Sequence, residues 1–96
     1  MRFLVTTEVF ETIHKEDLKR QAELITSQIK TVMNSGKLVN GGQFGNRGGH
    51  FFVIDVANEL ELLELLGRNI LDSCKAESHP IVSFEDLFTF FERHSP

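Results

Sequence analysis

Four side chains carry acid–base or anion-binding chemistry: Glu8 near the end of an expected strand, Arg47 in a glycine-rich loop, His50 at the start of another strand and His79 in the last. Glu8 ends an apolar, β-branched run, and a carboxylate there acts as a general base if burial raises its pKa. His50 follows two glycines and opens the run Phe51, Phe52, Val53, Ile54; imidazole titrates near neutrality and suits proton transfer. Arg47 sits among glycines, where its planar fork could hold a carboxylate in two hydrogen bonds. His79 alternates in phase with Lys75 and Glu77 and joins a site if that strand face points into a pocket. The expectation is a proton-transfer site with Glu8 and His50 as the catalytic pair and Arg47 and His79 as substrate-binding groups. The ordinary alternatives are a solvated acid, hydrogen-bonded strand-end histidines and an exposed turn arginine. His14, before a helix, and His94, near the chain end, are expected to face solvent.

Other chemistries lack their residues. The four histidines and the single cysteine, Cys74, contain no close pair at metal-ligand spacing, so no metal site is expected. Cys74 has no histidine partner recognisable in the sequence and makes a poor candidate nucleophile. The segment Gly41-Gly42-Gln43-Phe44-Gly45-Asn46-Arg47-Gly48-Gly49 is rich in glycine. A phosphate-binding glycine loop needs a helix directly after it to aim amide dipoles at the ligand. A strand pattern follows here, which favours a hairpin connection.

The bulk properties bound what these residues can serve. Ninety-six residues make one domain, 1–96, and a chain this short gains from association with a second copy. A net charge of −4 disfavours nucleic-acid or anionic-membrane binding, which needs clustered Lys and Arg. One cysteine excludes an intrachain disulfide and suits a reducing compartment. No signal-peptide pattern and no membrane-length apolar run is present, so the expected location is cytoplasmic, with no membrane partner.

The elements that must position the candidates follow from periodicity. Strand patterns cover 2–10, 37–44, 50–56 and 72–82; the first and third are apolar on both faces, as in central strands. Pro80 marks the fourth as an edge or strand end. Helical spacing covers 15–35, with an apolar stripe of Leu18, Ala22, Ile25, Ile29, Val32 and Met33. A second helix is read over 58–67, where Asn58 and Glu61 form a capping pattern and Leu60, Leu63 and Leu66 supply one face, with Leu62 and Leu65 widening it. A third is read over 84–93, opened by the Ser83 and Asp86 capping pattern.

The order β-α-β-β-α-β plus a terminal helix predicts an α+β, ferredoxin-like domain: a four-stranded antiparallel sheet with two helices on one face. The other face then needs a cover, and a homodimer formed through paired sheets supplies one. There are nine Phe and no Trp or Tyr, and four of the Phe lie in the terminal helix. That helix is expected to join the dimer contact or close a pocket. RNA-recognition motifs share the strand order. Their third-strand signature, however, needs an aromatic where Gly49 stands and a small residue where His50 stands.

Three stretches resemble the muconolactone isomerase family of dimeric α+β barrels. Met1-Arg2-Phe3-Leu4-Val5 is similar to its first strand. Phe51-Phe52-Val53-Ile54-Asp55-Val56, then Asn58-Glu59-Leu60 and Leu62-Leu63-Leu65-Leu66, resemble its third strand and second helix. His79-Pro80-Ile81 resembles the end of its fourth strand. The chain departs from the family at Gly67-Arg68-Asn69-Ile70-Leu71-Asp72, where the family carries a Pro-rich aromatic stretch, and at Asn40-Gly41-Gly42-Gln43 in the second strand. The resemblance implies a dimeric α+β barrel with a pocket between sheet and helices. It also implies proton transfer on a small carboxylated or lactone-like compound, without a cofactor. A non-catalytic dimer that binds a small molecule or a protein is the competing expectation.

Overall fold

The computed structural model describes residues 1–11, 14–46 and 48–94. Seven elements follow one another: β1 (Arg2–Val9), α1 (Lys15–Asn34), β2 (Leu38–Gln43), β3 (Gly49–Asp55), α2 (Glu59–Ser73), β4 (Cys74–Ile81) and α3 (Phe84–His94). The strands form one antiparallel sheet in the order β2-β3-β1-β4. The two runs that are apolar on both sides, β1 and β3, are therefore the two central strands. This α+β arrangement is compatible with a small ferredoxin-like domain.

Alternation decides which side chains enter the core. In β1, Phe3, Val5 and Thr7 are buried while Leu4, Thr6 and Glu8 lie on the other face. The register Phe3 with Ile54, Val5 with Phe52 and Thr7 with His50 carries that parity into β3. Helices α1 and α2 cover this face with Ile25, Val32, Leu62, Leu66 and Ile70. Gly49 is fixed by close approach of the two central strands: a Cβ there would lie 2.2 Å from the Thr7 carbonyl oxygen, so only glycine fits without backbone movement.

Helix α2 differs from the sequence expectation in length and in face. It does not end at Gly67. The chain kinks there, at φ +70° and ψ 170°, and resumes a helical path to Ser73, bringing Ile70 into the core. Gln28 of α1 packs on Gly67 and donates from Nε2 to the Leu65 carbonyl at 2.9 Å, an acceptor next to the kink. The inward face is Leu62, Leu66 and Ile70, whereas Leu60 and Leu63 are exposed. In α1, Ile25 and Val32 are buried, but Leu18 and Met33 at the two ends of the predicted stripe are exposed.

Both expected caps are present. The Glu61 N–H donates to Asn58 Oδ1 at 2.9 Å, and Glu61 Oε2 accepts from the Ala57 N–H at 3.1 Å. The Asp86 N–H donates to Ser83 Oγ at 3.0 Å. These side chains satisfy amides that a helix start leaves without partners.

Candidate functional site

The helices do not cover the sheet evenly. Near β2, α1 stands off and leaves a cavity of about 330 Å³ whose lining includes Ile29, Met33, Leu38, Gln43, His50 and Phe52. That volume is within the range of small-molecule sites, as is its largely apolar wall with few polar groups. Among the described residues, His50 is the only titratable one in its lining. The cavity lies between sheet and helix, where the resemblance implies a pocket.

His50 is held from one side by a residue that the sequence reading did not single out. Thr7, 2% exposed, accepts the His50 backbone N–H on Oγ1 at 3.1 Å. The same oxygen lies 3.2 Å from His50 Nδ1 and 3.4 Å from the His50 carbonyl oxygen. One arrangement satisfies all three contacts: Oγ1 accepts from the backbone N–H and from Nδ1–H, and its own proton goes to the carbonyl. Nε2 is then an unprotonated acceptor, and among the described residues it has no hydrogen-bond partner. Burial lowers the His50 pKa because it disfavours the imidazolium, so the ring is neutral at pH 7. The signal that could have found Thr7 is parity: it shares the phase of Phe3 and Val5, so it must point into the core.

The Cys74 thiol neighbours the Thr7 hydroxyl. Burial raises the thiol pKa and outweighs the opposing effect of that hydroxyl. The thiol therefore stays protonated at neutral pH, which removes the nucleophilic form. Cys74 connects to His50 only through Thr7.

Of the predicted site residues that are described, Glu8 and His79 are not brought together with His50. Glu8 pairs with Gly49 across β1 and β3, one position from the Thr7–His50 pair. That single step turns its side chain to the opposite face of the sheet. There it borders a recess of about 110 Å³ with Thr6, Lys75 and Glu77. His79 is exposed on the same open face, opposite Leu4, with Nε2 3.9 Å from Glu77 Oε2. The β4 face carrying Lys75, Glu77 and His79 thus points away from the helices, while Cys74 and Ala76 point toward them. Arg47 lies outside the described residues.

Two further observations bound the chemistry. Among the described residues, no group of three or more His, Cys, Asp or Glu could hold a metal ion. None of the described helices is long and apolar enough to cross a membrane. A larger recess of about 450 Å³ opens at the base of α3, but Arg2 and Asp55 in its wall are already paired at 3.4 Å. Compared with known proteins, the chain matches no family model and no curated sequence.

Proposed function

We propose that this chain is a homodimer that acts on a small carboxylated or lactone-like compound in the cavity between α1, β2 and β3. In this reading His50 is the proton-transfer group and no cofactor takes part. The carrying observation is the single neutral imidazole in an apolar cavity, anchored through Nδ1 by Thr7 with Nε2 unpartnered. Such a ring is a base of suitable strength near neutral pH.

The chemistry open to one base is a proton shift along a conjugated system. Nε2 takes a proton from the carbon next to the substrate carbonyl, and the C–H electron pair enters the dienolate. The resulting imidazolium returns the proton at the far carbon, moving the double bond with no net gain or loss of atoms. Gln43, the register partner of His50, lines the same cavity and supplies an amide N–H for the substrate oxygen. The likeness to muconolactone isomerase motivates the substrate class.

The homodimer rests on the open face of the sheet. Leu4, Phe51, Val53 and Ile81 lie there half-buried, with no helix over them. A second copy packed on this surface would cover it.

Binding without turnover is the second reading. It is favoured by Glu8, which lies on the other face, so that among the described residues the cavity lining holds no second acid–base group. Both readings are tested by incubating the protein in deuterated water with unsaturated lactones and small carboxylic acids and following C–H exchange by proton NMR. Catalysis predicts exchange that His50→Gln abolishes while ligand-induced thermal stabilisation persists. Stabilisation without exchange supports the binding reading. Neither exchange nor stabilisation across the panel contradicts both.

A further inference from the structure

Helix α3 is amphipathic but contributes no side chain to the core of its own domain. Phe84, Leu87, Phe88 and Phe91 recur at helical spacing along one stripe, with Glu85, Asp86, Thr89 and Glu92 elsewhere. Phe84 is 78% exposed and Phe88 59% exposed, and their rings stack on each other 6.4 Å apart. An isolated helix of 11 residues is marginal in water even with a good cap. A helix this short, with its apolar stripe bare, needs a surface to lie on.

That surface is not provided by its own protomer. Only Val82 and Ser83 join β4 to α3, and Ser83 caps the helix start. The helix projects from the sheet, so the molecule measures 60 × 26 × 18 Å. Its radius of gyration is 16.0 Å, whereas a compact chain of this length would have about 12.5 Å. Its solvent-accessible surface is 7147 Å², and a compact monomer of this mass would expose about 5,600 Å². The excess is about 1,500 Å² per chain. A standard interface hides only about 800 Å² per partner, so the excess matches the larger class of obligate homodimer.

We propose that α3 is an exchanged arm. Its Phe84, Leu87, Phe88 and Phe91 stripe packs on the open sheet face of a second copy, over Leu4, Phe51 and Val53, while the second copy's α3 returns the same contact. The proposal rests on the homodimer reading and names what the terminal helix does in it. Two bare apolar surfaces on one chain are both covered by a single twofold operation, which makes a closed assembly. The short capped connection keeps α3 directed away from its own sheet and therefore favours exchange over self-packing.

Two measurements on the full chain test this. The first is molar mass by light scattering across a dilution series, for the wild type and for Phe88→Asp. Phe88 is outside the core, so this variant keeps its fold by circular dichroism. Its dimer dissociation constant rises by about 100-fold or more, because an anchoring aromatic on each copy is lost. The second places a photoreactive benzophenone side chain at position 88 and irradiates mixed nitrogen-15-labelled and unlabelled copies. Cross-linked peptides that join α3 to β1 or β3 in mixed-isotope pairs are expected. A wild-type dimer that Phe88→Asp leaves intact overturns the exchanged arm but leaves the homodimer standing. Cross-links confined to one isotope overturn it as well. A wild type that is monomeric at tens of micromolar overturns the exchanged arm and the homodimer together.

Discussion

The two faces of the sheet have unlike fates although the same four strands make both. The helix-covered face is apolar and mostly buried along β1 and β3, while Ser78 and Pro80 of β4 are exposed and α1 stands off β2, leaving His50 at a cavity. The open face mixes half-buried Leu4, Phe51 and Val53 with charged Glu8, Lys75, Glu77 and exposed His79. One histidine is desolvated and held by a buried hydroxyl; the other lies in solvent beside a carboxylate. Strand parity alone assigns each residue to its face, so the two histidines lie in different surroundings, and a one-residue shift of register would reverse them.

The largest effect that can break this comparison comes from neighbours on β3. Phe52 is 3% exposed and Val53 lies on the other face. Phe52→Ala is expected to cost about 3–5 kcal/mol, through lost burial and the void left behind. Val53→Ala should cost less than about 1 kcal/mol at dilutions where the chain is monomeric, because little surface there is covered within one protomer. Urea denaturation of both variants measures the contrast. Similar losses would mean that the two faces are not distinguished as described.

Next in size is Thr7→Val, which keeps the shape of the side chain and removes its hydroxyl. The His50 amide and Nδ1 then lose their shared partner, at a cost of about 1–3 kcal/mol. The ring also loses its fixed tautomer, so any C–H exchange activity falls while the cavity keeps its apolar wall. Denaturation and exchange rate, measured on the same variant, separate the structural loss from the positioning loss.

Much of this architecture was legible in the residues, and the failures have physical causes. All seven elements follow from periodicity and caps, with ends displaced by a residue or two except at the C-terminal end of α2, because Asn58 and Ser83 announce helix starts and β-branched runs announce strands. Helix α2 continued past Gly67 because a side chain from α1, Gln28, supports the kink, and a contact 39 positions away in sequence has no local signal. The expected apolar face of α2 is broader than the buried one because five leucines crowd 60–66 and spacing alone does not choose among overlapping stripes. His50 was recognisable as a candidate. Glu8 was paired with it because both end central strands, yet pairing residues in register does not place them on one face unless their parity agrees.

The smallest expected effect concerns pH. Burial puts the His50 pKa of the folded chain below its ordinary 6.5. Between those two values the unfolded chain binds more protons, so stability rises with pH across that window and is lost as pH falls through it. The melting temperature of the wild type should therefore drop more than that of His50→Gln between pH 6.5 and about pH 5.

The most direct test compares the two rings in one experiment. Imidazole proton resonances are assigned with His50→Gln and His79→Gln, and the wild type is titrated with small carboxylic acids and lactones at pH 7. The cavity account predicts that a binding compound shifts the His50 resonances, raises its pKa if the compound is an anion, and leaves His79 in place. A compound that moves His79 while His50 stays still would put the site on the open face and contradict the account.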